Sequence, residues 1–400
     1  MASRYRPRLV HVTTVPESLD FFHGQVGYLA ERGVEVWALS SPGDMLDDFA
    51  AREKVSVHGL PMARRITPLR DVATTARIWR WLRRVRPDIV NAHTPKGGLL
   101  GMIGAWLARV PVRVYHMHGL PLMTATGPRR LLLRWAEQVS CLLAHQVICV
   151  SPSLRAAAIA EGLCPARKMK VLHHGSINGV AAESAFDPER LGAETRAATR
   201  RRLGIPLDAE VIGFVGRVVV DKGMIELVRA WQDLRVERPG LHLLVVGPFE
   251  EQDPLPAEIE QLLREDARVH LMGMIVDTPP MYAAMDVVVL PSYREGFGIV
   301  AIEAAAMELP MVATEVPGCV DAVENGVTGT LVPVRDSAAL TDACRRYLAD
   351  PALRRRHGRA GRRRVLREFR QEDVWGSLYE EYMRLIDAAQ TSRRTASLVR

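Results

Sequence analysis

Short runs of β-branched and aliphatic residues alternate with amphipathic stretches along this chain, and the alternation stops once and restarts. The first series of apolar runs covers residues 8–13, 34–39, 55–59, 89–93, 112–117, 146–150 and 170–173. The second covers 211–215, 241–246, 269–271, 287–291, 311–313 and 330–332. Helical spacing predicts helices between them, over 19–32, 69–86, 129–144, 223–234 and 299–307. In the 69–86 stretch Val72, Ile78, Leu82 and Val85 are expected to form the apolar face, away from Arg77, Arg80 and Arg84. Such alternation predicts parallel sheets covered by helices on both faces. Residues 175–202, rich in Gly, Ala, Glu and Arg, read as a linker with an extra helix. Four hundred residues at ~150 per domain agree with two units.

Composition removes several function classes. A 48% hydrophobic and 25% charged content is that of a globular protein. The longest weakly charged apolar stretch, residues 97–107, is far short of the ~20 residues that span a bilayer. The start of the chain, from Met1 to Arg8, is basic with no apolar segment of a signal peptide, which predicts a cytoplasmic protein. Five cysteines, none in a CxxC pair, speak against disulfide or zinc frameworks. Charge is unevenly spread. Residues 1–175 hold 24 Lys/Arg against 12 Asp/Glu, whereas residues 176–350 hold 16 against 28. A basic block suits an anionic membrane, an anionic acceptor or a plain solvated arginine-rich surface. Nucleic acid is not expected, because no finger or RNP-like aromatic run is present and the second block is acidic. The arginine-rich run 354–367 reads as helix surface.

In parallel sheets ligands bind beyond the carboxyl ends of strands. After the 287–291 run comes Pro291-Ser-Tyr-Arg-Glu-Gly-Phe-Gly-Ile-Val-Ala-Ile-Glu303. Glu295 falls in the loop. Gly296 and Gly298 allow a tight turn, and the helix that follows offers free N–H groups to a diphosphate. Glu303, about one turn into that helix, suits a cis-diol such as ribose. After the 211–215 run comes Gly216-Arg-Val-Val-Val-Asp-Lys222-Gly, in which Arg217 and Lys222 can neutralise a diphosphate leaving group. No P-loop and no GxGxxG is present, which speaks against a kinase and a dehydrogenase. In the first unit two neighbouring strands end in His93-Thr-Pro-Lys-Gly-Gly and His116-Met-His118-Gly. His116 and His118 share a strand face, and His118 is the better placed to meet a ligand. Structural histidines also occupy strand ends. Three histidines invite a metal, yet no acidic partner stands at ligand spacing, so no metal site is expected.

These motifs resemble retaining glycosyltransferases of the GT-B fold, specifically glycosyltransferase family 4, in the branch that builds bacterial surface polysaccharides and lipid-linked oligosaccharides. The strongest matches are Gly216-Arg217…Lys222-Gly223, the Glu295…Glu303 pair around Gly-Phe-Gly, and Asn325-Gly-Val-Thr-Gly-Thr-Leu-Val. The resemblance implies two Rossmann-like domains facing across a cleft: 1–180 on the acceptor side, 181–365 for the nucleotide-sugar, and a tail, 366–400, whose helix returns to the first domain. It implies that Arg217 and Lys222 bind the diphosphate, with Gly216 at the turn. Glu303 would bind the ribose and Glu295 a sugar hydroxyl. The amides of Phe297, Gly298 and Ile299 would meet sugar and phosphate, and His118 the donor sugar near its reacting carbon.

The implied activity is metal-independent, retaining transfer of a hexose or N-acetylhexosamine from a UDP-sugar, with no cofactor beyond that donor. The implied acceptor is a sugar on a polyprenyl diphosphate, met by a protein peripheral to the inner membrane face. Two local departures stand out. Val15-Pro-Glu-Ser replaces the family's Gly-Gly turn, and Asp321 follows Pro317-Gly-Cys-Val where Pro-Gly-Gly is usual. A nucleotide-sugar 2-epimerase needs placed carboxylates in the first unit, and none is found there. A non-catalytic nucleotide-sugar binding subunit would be expected to lack His118 or Lys222.

Overall fold

The computed structural model describes residues 5–65, 67–250 and 253–398. The first four residues of the basic N-terminus therefore lie outside the described residues. The chain divides into two units, one of residues 1–178 with 371–400 and the other of residues 179–370.

The first unit is built on seven strands: β1 (Arg8–Val12), β2 (Glu35–Ser40), β3 (Ser56–Gly59), β4 (Ile89–His93), β5 (Val112–Met117), β6 (Gln146–Cys149) and β7 (Met169–Lys170). They form one parallel sheet in the order β3-β2-β1-β4-β5-β6-β7. The second unit holds β8 (Glu210–Val215), β9 (Leu241–Val246), β10 (Val269–Leu271), β11 (Val287–Leu290), β12 (Met311–Thr314) and β13 (Gly329–Val332). These are also parallel, in the order β10-β9-β8-β11-β12-β13. Central strands β4, β11 and β12 are buried at every residue, so β11 and β12 are nearly continuous apolar runs, whereas β4 buries two polar residues, Asn91 and His93, among its apolar ones. The strand order turns at β1/β4 in one sheet and at β8/β11 in the other, and these are the points where such sheets place ligands.

Three local expectations are corrected. The stretch 19–32 is a 3-10 helix, Pro16–Phe22, followed by an α-helix, Gln25–Glu31. Gly24 separates them with φ +75°, and the Trp375 ring lies so close that a Cβ there would come within 2.7 Å of it. The seventh strand ends at Lys170, and His173 takes a left-handed φ of 48°. In the helix Pro68–Val85 the buried face is Thr74, Thr75, Ile78 and Leu82, while Val72 is 71% exposed. Val72 stands about 120° around the helix from Ile78, too far to share its face.

The C-terminal helix Gln371–Leu398 packs within the first unit. Asn91 Nδ2 donates to Tyr382 Oη at 2.5 Å, Lys170 pairs with Glu381 at 2.7 Å, and Trp375 Nε1 donates to Asn178 Oδ1 at 2.6 Å. In the second unit, Arg200 of the helix Pro188–Leu203 is fully buried and pairs with Asp286 at 2.9 Å, fastening that extra helix to its sheet.

Candidate functional site

In the second unit two loops meet beyond β8 and β11. The first runs from Gly216 through a 3-10 turn, Val220–Lys222, to Gly223, which precedes the helix Met224–Glu237. The second runs from Pro291 to Gly298, which precedes the helix Ile299–Ala306. They touch at Gly223, where a Cβ would stand 2.0 Å from the Pro291 carbonyl oxygen. Only glycine permits that approach, and φ at Gly223 is +71°.

This contact brings Lys222 and Glu295 together. Lys222 Nζ forms an ion pair with Glu295 Oε1, and Ser292 Oγ donates to the same oxygen at 2.7 Å. Both side chains are largely buried. Arg217 stands apart from that pair; it is half-exposed and pairs with Glu250 at 2.8 Å. Gly298 has φ +70°, and the free N–H groups of the helix's first turn follow at Ile299. Phe297 is buried with its ring 5.3 Å from that of Phe369, so it offers backbone and not side chain. Glu303 accepts a hydrogen bond from Tyr282 Oη at 2.6 Å through Oε2. Burial raises its carboxyl pKa, and the Tyr282 hydrogen bond opposes that rise.

In the first unit His118 lies one residue past β5. Its Nε2 is 2.8 Å from His93 Nδ1, and its ring stacks against Phe21 (centroids 5.9 Å, planes 18° apart) and His116 (4.8 Å, 28°). Burial holds all three strand-end histidines neutral, pushing His116 down to about 3 and His93 and His118 well below the usual 6.5. Ligand nitrogens of His93, His116 and His118 lie within 4.8 Å of one another. An ion must sit in the plane of each imidazole that binds it. The stacked rings of His116 and His118 would need one of them to rotate to share an ion.

Comparison with known proteins gives these sites a context. Residues 20–175 match the family model described as glycosyl transferase 4-like domain, and residues 209–350 match glycosyl transferases group 1. The chain is 32% identical to the capsular polysaccharide biosynthesis glycosyltransferase CapM of Staphylococcus aureus, over 94% of this chain and 96% of that protein. This chain belongs to the group 1 glycosyltransferases. It is also 26% identical to an Escherichia coli UDP-Gal:alpha-D-GlcNAc-diphosphoundecaprenol alpha-1,3-galactosyltransferase, over 73% of this chain and 74% of that one. Among solved structures it superposes on Anabaena Alr3699/HepE in complex with UDP and glucose with a TM-score of 0.77 and 21% identity, covering 95% of this chain and 100% of that one. The fold of this glycosyltransferase is thus GT-B.

The structure adds residues that sequence reasoning missed. Tyr282 holds Glu303, and Ser292 holds Glu295. Glu250 occupies Arg217, and His11 of β1 joins the histidine row through His93 Nε2 at 2.9 Å. His11 was legible from strand register, since it lies opposite Asn91, two residues before His93 on the same face. Tyr282 and Ser292 carried no such signal.

Proposed function

We propose that this glycosyltransferase moves a hexose or N-acetylhexosamine from a UDP-sugar to a sugar on a polyprenyl diphosphate. Transfer retains anomeric configuration, uses no metal ion, and serves synthesis of a cell-surface polysaccharide. The observation that carries this reading is the Lys222–Glu295 ion pair beside the amino end of the helix Ile299–Ala306. A diphosphate arriving at Lys222 competes with Glu295 for the ammonium and frees a carboxylate oxygen for a sugar hydroxyl. Arg217 adds charge to the leaving group, with Gly216 at the turn. The amides of Phe297, Gly298 and Ile299 take sugar and phosphate oxygens, and Glu303 takes the ribose. His118 meets the donor sugar. The acceptor hydroxyl attacks the anomeric carbon from the face that the diphosphate leaves. The bond from that carbon to UDP breaks, the hydroxyl proton passes to the departing phosphate oxygen, and fixed cations stabilise the charge that grows there.

UDP is favoured by the ligand of HepE and by the donor named for the Escherichia coli relative; that name also supports a polyprenyl-linked acceptor. A peripheral membrane site is supported by the surface of the first unit. No helix among the described residues is long and apolar enough to cross a membrane. The helix Gly127–Leu143 nonetheless exposes Leu131 (65%), Trp135 (55%) and Leu142 (75%) in one stripe, with the half-buried Arg130 and Arg134 along one flank. Apolar and aromatic side chains flanked by arginine suit the interface of an anionic bilayer.

The test is a transfer assay with UDP-sugars and two acceptor classes, a polyprenyl-diphosphate-linked sugar and a free oligosaccharide. Product on the lipid-linked acceptor with the anomeric configuration of the donor is expected. Transfer only to the free oligosaccharide, or an inverted product, overturns the reading.

A further inference from the structure

Four histidines stand on one face of the first unit's sheet. His93 is paired in register with His116, and His118 follows two residues later. Three of them form a row: His11 Nδ1 is 2.9 Å from His93 Nε2, and His93 Nδ1 is 2.8 Å from His118 Nε2. Each contact needs one N–H and one lone pair, and a neutral imidazole has one of each. The row therefore has two proton orders. Either all three rings carry hydrogen on Nδ1, or all three carry it on Nε2.

The ends of the row decide between them. At the inner end His11 is buried, packed at 4.6 Å on the Phe22 ring, and its Nε2 has no hydrogen-bond partner among the described residues. In the Nε2 order that atom is a buried N–H with nothing to receive it. In the Nδ1 order it is a bare lone pair. A buried N–H without an acceptor is costly. His116, with neither ring nitrogen partnered among the described residues, already carries one in this cluster, and the Nε2 order would add a second. At the outer end, His118 Nδ1 makes no hydrogen bond within the described protein.

We propose that His11 and His93 are positioning residues that hold the proton of His118 on Nδ1, so that His118 meets the donor sugar as a hydrogen-bond donor and not as a base. This rests on the active-site reading of His118 given above. Phe21 and His116 on its two sides fix the ring plane, while the row fixes which nitrogen bears hydrogen. The row does not relay protons. Loss of the His118 proton to a substrate would leave an anionic imidazole inside the row, and uptake of a proton would require a charged, buried His11.

Nitrogen-15 imidazole correlation spectra of the intact protein near neutral pH test the assignment without any variant. The expected pattern is hydrogen on Nδ1 of His11, His93 and His118. Hydrogen on Nε2 of His118 overturns the proposal. Two variants extend the test. His11→Phe keeps the stacking on Phe22 but removes the inner donor. It should let His118 populate its Nε2 form and lower kcat about 10-fold with donor KM unchanged. His11→Asn, whose amide N–H replaces Nδ1–H, should restore both. A His11→Phe variant with an unchanged His118 spectrum and unchanged kcat also overturns the proposal. If the Nδ1 order is seen but His118→Phe transfers sugar at the wild-type rate, the row stands and the active-site reading of His118 falls.

Discussion

Lys222 and Glu295, 73 residues apart in sequence, share an ion pair because the loops after β8 and β11 touch at Gly223 and Pro291. The pair sets opposite expectations for its two members. Lys222→Met removes a charged hydrogen-bond donor and should weaken UDP binding by about 1.5–3 kcal/mol. Glu295→Gln removes an anion from beside the same ammonium. It should leave UDP affinity equal or higher while turnover falls on the order of 100-fold. Calorimetric titration with UDP and initial rates separate the two effects. Wild-type turnover in Glu295→Gln removes that carboxylate from the site.

Tyr282 holds one oxygen of Glu303 and supports its charged form against burial. Tyr282→Phe should cost about 1 kcal/mol of donor binding, roughly a 5-fold rise in Kd for UDP. The same Kd in variant and wild type would show that Glu303 needs no such support.

Glu137 lies away from both candidate sites and reports on the first unit's core. It is buried, accepts from Tyr115 Oη at 2.7 Å through Oε2, and has no partner on Oε1 among the described residues. Burial raises its pKa from 4.5 to about 7, against the Tyr115 hydrogen bond. A carboxyl whose folded pKa is raised favours the folded state below its unfolded pKa. That advantage is lost as pH climbs from 4.5 to about 7. The full shift is worth about 3 kcal/mol. Glu137→Gln keeps an acceptor for Tyr115 and removes the titration. Thermal melts should show the variant gaining on wild type as pH rises from about 5 to about 8. Parallel melting curves across that window would place the Glu137 pKa near its ordinary value.

The stripe of Leu131, Trp135 and Leu142 makes a distinct prediction. Wild-type protein should float with vesicles rich in anionic lipid and less with neutral ones. Leu131→Glu with Trp135→Glu should remain in the soluble fraction while turning over a water-soluble acceptor analogue. Undiminished flotation of that double variant would assign membrane contact to another surface.

Much of this was legible in the chain. Parallel strands buried on both faces are rich in apolar residues even where Asn91, His93, Arg113 or His116 interrupts them, so β4, β5, β8, β9, β11 and β12 announce themselves, and the loops beyond their carboxyl ends hold Lys222, Glu295 and His118. Helix faces were less legible. Val72 and Ile78 both look like core residues in sequence, but the neighbouring helices decide which side is covered. Side-chain partners were the least legible. The loop sequence around Arg217 suits a phosphate but gives no sign of the carboxylate it pairs with, Glu250, 33 residues away. Tyr282 reaches Glu303 from a short helix with no motif of its own. Such pairings depend on where separate loops meet, and spacing along the chain does not record that.

The donor site of the second unit is the central claim, and nucleotide-dependent stabilisation measures it most directly. Thermal denaturation with UDP, GDP, ADP and CMP, each with a chelator present, needs neither acceptor nor membrane. At ~100 times its dissociation constant a specific ligand adds about 2.7 kcal/mol. The account predicts a clear shift with UDP in the presence of chelator and its loss in Lys222→Met. A folded protein that responds to none of these nucleotides, or to UDP only when a divalent metal is supplied, would contradict it.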